Sequence, residues 1–244
     1  DGLSKTLTDS RIGCNMNGKF VNHLMYADDT CILTPSPSAL KKLLDVCGKF
    51  ASENCVIFNE KKTKCMCFRP KRMQKLVVPD IPLNDKVLEF ISQHKYLGMY
   101  INDDLSDDID IKRHARSLYA RGNMLVFSFK ICMEDVKTYL FRVYYSNIYG
   151  CLLWCNYNAS SFKKVVVAYN DIYRAMLHVK RGESISQIFV QHGVDHFNVL
   201  MRKYIFSFRE RLFLCENSLI RTIVSSLFYK VSVMTYKWNN ILYI

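Results

Sequence analysis

Residues 18–34 read Gly-Lys-Phe-Val-Asn-His-Leu-Met-Tyr-Ala-Asp-Asp-Thr-Cys-Ile-Leu-Thr. Apolar runs at 20–26 and 30–34 flank a polar break at Ala27-Asp28-Asp29, and this pattern predicts two strands joined in a hairpin. Adjacent carboxylates in an apolar frame repel each other and are costly to desolvate, and a bound cation relieves that cost. Magnesium prefers carboxylate oxygens. The stretch therefore predicts Asp28 and Asp29 as metal ligands, although a bare Asp-Asp pair is more often a simple turn.

The chain after the hairpin changes character twice. Pro35-Ser-Pro-Ser38 ends the strand and supplies N-cap chemistry for a helix over 38–53. Paired strands are predicted at 55–58 and 64–68, and a further short hairpin at 87–91 and 96–101. From about residue 109 to 230 the periodicity is helical.

We therefore predict an α+β fold with a domain boundary near residue 105. Residues 1–105 would form a domain of short antiparallel strands with a packed helix. Residues 106–244 would form a mostly α-helical domain, with Val165, Tyr169 and Ile172 on its core stripe.

Bulk composition limits the function classes. The net charge of +12 makes nucleic acid the first expected partner and an acidic membrane surface the second. No apolar run reaches the roughly 18–20 residues that a membrane span needs, so we expect no membrane insertion. The ten cysteines follow no signal peptide and lack paired zinc-ligand spacing. We therefore expect an intracellular protein, nuclear or cytoplasmic, that is not secreted.

Two basic zones are candidate contacts for a nucleic-acid backbone. The first zone spans 61–75, contains no acidic residue, and consists of Lys61, Lys62, Lys64, Arg69, Lys71, Arg72 and Lys75. The second zone consists of Lys112, Arg113, Arg116 and Arg121. A solvated loop that keeps the chain soluble is the alternative interpretation of the first zone.

The stretch Leu24-Met-Tyr-Ala-Asp-Asp-Thr30 resembles the Tyr-x-Asp-Asp hairpin of reverse transcriptases, in particular those of non-LTR (LINE-type) retrotransposons. The order of elements is also similar to that family. A turn and strand over 13–29 precede a helix, then Asn59-Glu-Lys-Lys-Thr63, then Tyr96-Leu97-Gly98. Tyr149-Gly150-x-x-x-Trp154 fits as well. The two predicted domains would then be a partial polymerase palm and a helical thumb with the C-terminal region.

The resemblance implies roles for these residues. Asp28 would bind metal directly, and Asp29 would lie in the same site and bind it less directly. Two magnesium ions, or manganese, would serve the addition of deoxynucleotides to a primer 3′-end. Tyr26 and Ala27 would approach the primer end and the incoming deoxynucleoside triphosphate. Lys62 would lie near the triphosphate, or form part of a packed basic turn. Tyr96, Leu97 and Gly98 would form the primer grip, or Gly98 would simply let a strand bend. The partners would be an RNA template and a DNA primer.

The resemblance also implies that parts are missing. The family needs another metal-binding aspartate on an earlier strand and a segment that shapes the nucleotide pocket, and both are expected upstream of residue 1. Asp9, predicted in a polar loop, cannot replace that aspartate. We therefore predict a C-terminal fragment that is inactive alone, with an exposed sheet edge that favours aggregation.

Three other interpretations remain at this point. The chain could be a non-catalytic nucleic-acid-binding remnant or a domesticated fragment, which needs only the basic surface. It could derive from an RNA-templated RNA polymerase or an intron-encoded maturase, although viral RNA polymerases usually carry Gly-Asp-Asp where this chain has Tyr26-Ala27. A purely structural helical module would leave Tyr-Ala-Asp-Asp unexplained.

Overall fold

The computed structural model describes residues 2–16, 18–69, 77–84, 86–145 and 148–243. The chain divides into two compact units, Asp1–Gln93 and His94–Ile244. Helices and short, mostly antiparallel strands are combined, as an α+β fold requires. The division falls before the boundary near 105 that we predicted from periodicity, because the hairpin before that point packs on the helix after it. The assignment of palm and thumb stays a prediction.

The first unit contains two helices and eight short strands among its described residues. They are α1 (Gly2–Asp9), β1 (Cys14–Met16), β2 (Lys19–Val21), β3 (His23–Tyr26), β4 (Asp29–Ile32), α2 (Pro37–Glu53), β5 (Lys64–Cys65), β6 (Pro82–Leu83), β7 (Lys86–Val87) and β8 (Glu89–Phe90). Strands β1–β2, β3–β4 and β6–β7 pair antiparallel, and β5–β8 pair in parallel.

Helix α2 confirms the helix predicted over 38–53. The Ser36 hydroxyl accepts a 3.3 Å hydrogen bond from the Ala39 amide, and Pro37 occupies the first turn, where a missing N–H costs nothing. One side of α2 packs Leu43 and Cys47 against Leu7 of α1. Leu40 and Leu44 pack on a second cluster of buried residues, Cys65, Ile81, Leu83 and Leu88.

Three local predictions for this unit were wrong. Residues 55–58 form no strand, and Lys64–Cys65 instead pairs with Glu89–Phe90. The Phe58 side chain packs against both core clusters, so the sequence here is apolar although no strand pairing forms. The hairpin predicted at 87–91 and 96–101 does not form. Val87 lies in the β6–β7 hairpin, Glu89–Phe90 pairs in parallel with β5, and Tyr96 lies in a separate hairpin further along the chain. Asp9 is the last residue of α1, not part of a polar loop.

The second unit begins with a hairpin and continues as a helical assembly. Its elements are β9 (Gln93–Tyr96), β10 (Met99–Asn102), α3 (Asp108–Ser128), α4 (Glu134–Tyr145), a 3-10 turn (Cys151–Leu153), α5 (Ala159–Leu177), α6 (Ile185–Gln191), α7 (Phe197–Leu214), α8 (Ser218–Ser225), α9 (Leu227–Lys230) and α10 (Val233–Leu242).

Helices α3 and α5 form the centre of this unit. A Cβ atom at Gly122 would lie 2.7 Å from the Ile172 side chain, so glycine permits the close approach of the two helices. The Tyr145 hydroxyl donates a 3.0 Å hydrogen bond to the Leu118 carbonyl. The predicted core stripe is confirmed, since Val165, Tyr169 and Ile172 are buried. Among the described residues, no helix combines the length and apolarity needed to cross a bilayer.

Candidate functional site

The predicted carboxylate hairpin is present. Strands β3 and β4 pair with Tyr26 opposite Asp29, so Ala27 and Asp28 are the two residues of the turn. Ala27 has a φ of 52°, a left-handed backbone that is uncommon outside glycine. Tyr26, Asp28 and Asp29 are all exposed. The hairpin therefore presents both carboxylates to solvent at its tip, together with the Tyr26 ring.

Asn22 fixes the base of this hairpin from a fully buried position. Its side-chain amide donates hydrogen bonds of 2.6 Å to the Leu7 carbonyl and 2.7 Å to the Ile12 carbonyl. Its backbone carbonyl accepts from the Leu33 amide at 2.8 Å, on the far side of the turn. Gly13 lies directly against it, since a Cβ atom there would lie 2.5 Å from the Asn22 Cβ. Asn22 thus ties the hairpin to α1 and its following loop, a role that the sequence did not reveal.

His23 continues this hydrogen-bonded chain. Because the Asn22 amide nitrogen is used as a donor, its Oδ1 accepts the 2.7 Å bond from His23 Nδ1. His23 Nε2 then accepts from the Ser4 hydroxyl at 2.7 Å. Burial lowers the pKa of His23 from its usual value. A lowered pKa favours the neutral ring, whose two hydrogen bonds orient the strand.

Asp28 and Asp29 fit a magnesium ion that completes its coordination with water or phosphate, because magnesium is commonly held by one or two carboxylates. Among the residues that the structure describes, no group of three or more histidine, cysteine, aspartate or glutamate side chains is placed to bind one ion. The assignment of Asp28 and Asp29 as metal ligands therefore stays a prediction.

The Asn59-to-Thr63 segment is a closed turn. The Asn59 carbonyl accepts from the amides of Lys62 and Thr63 at 3.1 and 2.9 Å, and its side-chain oxygen also accepts from the Lys62 amide. The Thr63 hydroxyl donates to the same carbonyl at 2.9 Å. Asn59 and Thr63 thus have a structural role in the turn, whereas the Lys62 side chain is exposed.

The first basic zone is only partly available for anions. Lys61 and Lys62 are exposed, but Lys64 forms a 2.5 Å ion pair with Glu89 beside the β5–β8 ladder. Arg69 is partly buried. Lys71, Arg72 and Lys75 lie outside the described residues. The two adjacent lysines of the Asn59 turn are therefore the clearest cationic group of this zone.

The Tyr96-Leu97-Gly98 element belongs to the second unit and forms the tip of the β9–β10 hairpin. Leu97 and Gly98 have φ values of 46° and 84°, and positive φ at both central residues defines a type I′ turn. The element contacts the predicted Tyr149-Gly150 segment. A Cβ atom at Gly98 would lie 3.2 Å from the Tyr149 ring, and one at Gly150 would lie 2.9 Å from the Met99 sulfur. The structure thus brings together two of the motifs singled out in the sequence.

Two residues of the second basic zone are exposed, and the other two have partners within the fold. Lys112 and Arg116 are exposed on α3. Arg113 donates to the Oδ1 atom of buried Asp110 through Nε at 3.0 Å and Nη2 at 2.8 Å. The Arg121 guanidinium lies 5.8 Å from the Tyr145 ring centre. Arg113 therefore contributes mainly to the fold, and Lys112 and Arg116 are the better candidates for phosphate contacts.

Asp110 joins three parts of the second unit. Besides Arg113, it accepts hydrogen bonds from the Tyr100 amide at 3.1 Å and from the Trp154 indole at 2.9 Å. The neighbouring His114 is buried with its edge towards the Trp154 ring. Burial, reinforced by the positive charge of Arg113, lowers the pKa of His114 to about 4.

Asp107 and Asp108 bind the loop before α5. Asp107 Oδ2 accepts from the amides of Cys155 and Asn156, both at 2.7 Å, and burial raises the pKa of this carboxyl. Burial acts in the same direction on Asp108, but hydrogen bonds from Asn158 and nearby serines outweigh it and lower the pKa. Asp107 stands at the N-cap of α3 but makes no capping hydrogen bond, so its position in the sequence did not indicate this role.

A cleft of about 340 Å³ lies between α3, α5 and the loop after α5. The Tyr119 hydroxyl donates to Asp171 at 3.2 Å on its wall, and burial together with the Asp171 charge raises the pKa of Tyr119. Arg174 is held by the carbonyls of Lys180 and Glu183. The sequence gave no sign of this cleft.

Comparison with protein families gives a match over the first part of the chain. Residues 5–101 match the family model described as "Reverse transcriptase (RNA-dependent DNA polymerase)". This range includes the complete β3–β4 hairpin, the Asn59 turn and the β9–β10 turn. The match supports a reverse transcriptase, and with it a template and primer as partners. Comparison with curated proteins and with solved structures gives no significant match.

Proposed function

We propose that this chain carries the carboxylate hairpin and nucleic-acid contacts of an RNA-directed DNA polymerase from a LINE-type retrotransposon. The observation that supports the proposal best is the solvent-exposed Tyr26-Ala27-Asp28-Asp29 turn within the region that matches the family. The LINE-type assignment depends on the order of sequence elements described above.

Residues of the hairpin and of the Asn59 turn would have separate roles. Asp28 and Asp29 would hold magnesium, which in the intact enzyme supplies positive charge at the reacting phosphate. The hydrogen bonds of Asn22 and His23 would position the base of the hairpin that carries the carboxylates. The exposed ring of Tyr26, which precedes the two carboxylates in the motif, would contact the primer end. Lys61 and Lys62 would attract phosphate groups.

We also propose that the 244-residue chain does not extend primers by itself. Two-metal catalysis depends on carboxylates that hold both ions in fixed positions. Within the described ranges, Asp28 and Asp29 have no third carboxylate, cysteine or histidine placed to join them at one ion.

Primer extension on an RNA template tests both statements. The purified chain would be assayed with magnesium and with manganese, beside the Asp28→Asn, Asp29→Asn double variant. We expect no incorporation from either protein. Incorporation by the chain that disappears in the double variant would contradict the proposed inactivity while supporting the assignment of the carboxylates. Incorporation that survives in the variant would contradict that assignment.

A non-catalytic role in binding nucleic acid is the second candidate. It is favoured by the net charge of +12 and by the exposure of Lys61, Lys62, Lys112 and Arg116. Backbone binding predicts that affinity for an RNA–DNA hybrid falls steeply with salt. Fluorescence anisotropy over a series of salt concentrations measures this slope, and an affinity that is nearly constant would contradict both candidates.

A further inference from the structure

Helix α7 carries a stripe of alternating cations and aromatic rings, outside the region that matches the family. Arg202, Phe206, Arg209 and Phe213 follow one another at spacings of four, three and four residues, so they share one face of the helix. Phe206 is 60% exposed and Phe213 is 52% exposed. We refer to these four residues as the α7 stripe.

The exposed rings of the α7 stripe are not part of the hydrophobic core of the unit. The buried contacts of α7 are made by a different set of side chains, namely Phe197, Leu200, Met201 and Ile205. Large aromatic side chains that stay exposed at regular spacing form a patch that is costly to leave in water. Their placement therefore indicates contact with another molecule.

Arg209 is already positioned between aromatic rings. Its guanidinium carbon lies 5.8 Å from the Phe213 ring centre and 6.0 Å from the ring centre of Tyr243, which is 77% exposed. Its Nη1 donates a 2.9 Å hydrogen bond to Asn239 Oδ1, which fixes the orientation of the group. A fixed cation flanked by exposed rings offers flat surfaces and positive charge at one place.

The charge of the surface indicates the class of partner. Helix α7 contains Arg202, Lys203, Arg209 and Arg211 against the single acidic residue Glu210. Lys203 is paired with Asp195, which leaves the arginines as the main cations of the helix. A partner that satisfies this surface must combine negative charge with flat, unsaturated rings.

We propose that the α7 stripe binds single-stranded nucleic acid. Bases would stack on Phe206 and Phe213, and the phosphates between them would contact Arg202 and Arg209. A duplex offers its phosphates but keeps its bases stacked inside, so it would use the arginines and not the rings. This proposal does not depend on the carboxylate hairpin, because α7 lies outside residues 5–101.

The test compares single strands with duplexes on the full chain. Fluorescence anisotropy would measure binding of a labelled 20-nucleotide poly(U) strand and of a blunt RNA–DNA hybrid of the same length. The Phe206→Ala, Phe213→Ala double variant keeps every charge. We expect its affinity for the single strand to fall at least about tenfold, since each base–ring stack contributes substantially to binding. Its affinity for the hybrid should change less than about twofold, because phosphate contacts remain.

Two controls separate stacking from damage to the fold. The Phe206→Tyr, Phe213→Tyr variant keeps both rings and should bind the single strand as the unmodified chain does. Phe127→Ala removes a highly exposed ring from α3 and should have no effect on either ligand. The proposal is wrong if the double alanine variant retains single-strand affinity, or if it loses both ligands equally with an unchanged thermal melting profile. Loss of single-strand binding by the tyrosine variant would also overturn it.

Discussion

The Tyr149 hydroxyl donates a 3.0 Å hydrogen bond to the Leu97 carbonyl, across 52 residues of chain. The bond joins the tip of the β9–β10 hairpin to the segment that leads into the 3-10 turn. Both ends carry glycines with left-handed backbones, Gly98 at 84° and Gly150 at 81°. A Cβ atom at either glycine would lie close to a side chain of the other segment, at Gly98 to the Tyr149 ring and at Gly150 to the Met99 sulfur.

Removal of that hydroxyl tests the contact. Tyr149→Phe should lower the free energy of unfolding by about 0.5–1 kcal/mol, the usual net contribution of a hydrogen bond near the surface. Urea denaturation followed by circular dichroism would measure the difference. Tyr139→Phe on α4 is the matched control, because that ring is 66% exposed compared with 61% for Tyr149. An equal effect at both positions would contradict a specific role for Tyr149.

Alanine at Gly98 should destabilise the hairpin. A side chain at a φ of 84° is strained, and its Cβ would lie 3.2 Å from the Tyr149 ring. We expect Gly98→Ala to cost about 1–2 kcal/mol of unfolding free energy. Gly48→Ala provides a control of opposite sign, since no atom lies within 4 Å of its Cβ position in the interior of α2 and alanine favours helix. Thermal melts of both variants would show whether the signs differ as expected.

Asn22 offers a test of the platform below the carboxylates. Asn22→Asp replaces the amide donor with an acceptor beside the carbonyls of Leu7 and Ile12. The buried Leu7 carbonyl and the partly buried Ile12 carbonyl would lose their partner, and we expect a loss of at least about 2 kcal/mol of unfolding free energy. Asn15→Asp should be nearly neutral, because its side-chain oxygen accepts from the Gly18 amide and aspartate keeps that oxygen. Equal stability of the two variants in urea denaturation would show that Asn22 is not structural.

Because of the lowered pKa of His114, the folded protein should lose stability in mild acid. Its folded pKa of about 4 lies below the unfolded value near 6.5, so the unfolded chain binds a proton more readily. The free energy of unfolding should therefore fall as the pH drops from 6.5 towards 4, by up to about 3 kcal/mol. His114→Phe keeps a ring against Trp154 but cannot be protonated, and it should show a smaller fall.

The lowered pKa of His23 acts in the same direction, so part of the fall should remain in that variant. Urea denaturation at half-unit pH intervals measures both curves. Parallel curves for the two proteins over this range would show that His114 does not contribute to the acid sensitivity.

Charge reversal at the Asn59 turn tests the first basic zone. Lys61→Glu, Lys62→Glu should weaken binding of an RNA–DNA hybrid by about tenfold at low salt and reduce the salt dependence, because fewer counterions are released. Lys163→Glu, Lys164→Glu on α5 makes the same change in net charge at another exposed pair. Equal weakening by both variants would indicate a general charge effect and not a local contact.

The carboxylate hairpin and helix α2 could be predicted from sequence because their determinants are local. Alternating apolar strands around Ala27-Asp28, and Ser36-Pro37 before an amphipathic segment, specify these elements within a few residues. The strand predicted at 55–58 does not form. The same apolar sequence also suits a segment that only packs Phe58 against two clusters, so the two cases could not be distinguished.

Long-range partners were beyond prediction. The pairing of Arg113 with Asp110, three residues earlier on the same helix, is local, but the Trp154 indole that fixes the Asp110 carboxylate lies 44 residues away. Asp107 and Asp108 bind a loop about 50 residues further along the chain. No periodicity or motif reports such pairings, because they depend on how helices pack.

The hydrogen bonds of Asn22 also bear on the order of folding. They reach Leu7, fifteen residues away, and Ile12, ten residues away, and the adjacent turn needs only two residues to reverse the chain. Closing loops of this length costs little chain entropy, whereas the α3–α5 pair must bring together segments about fifty residues apart. The carboxylate tip can therefore reach its native geometry early in folding, from contacts made within the first thirty-three residues of the chain.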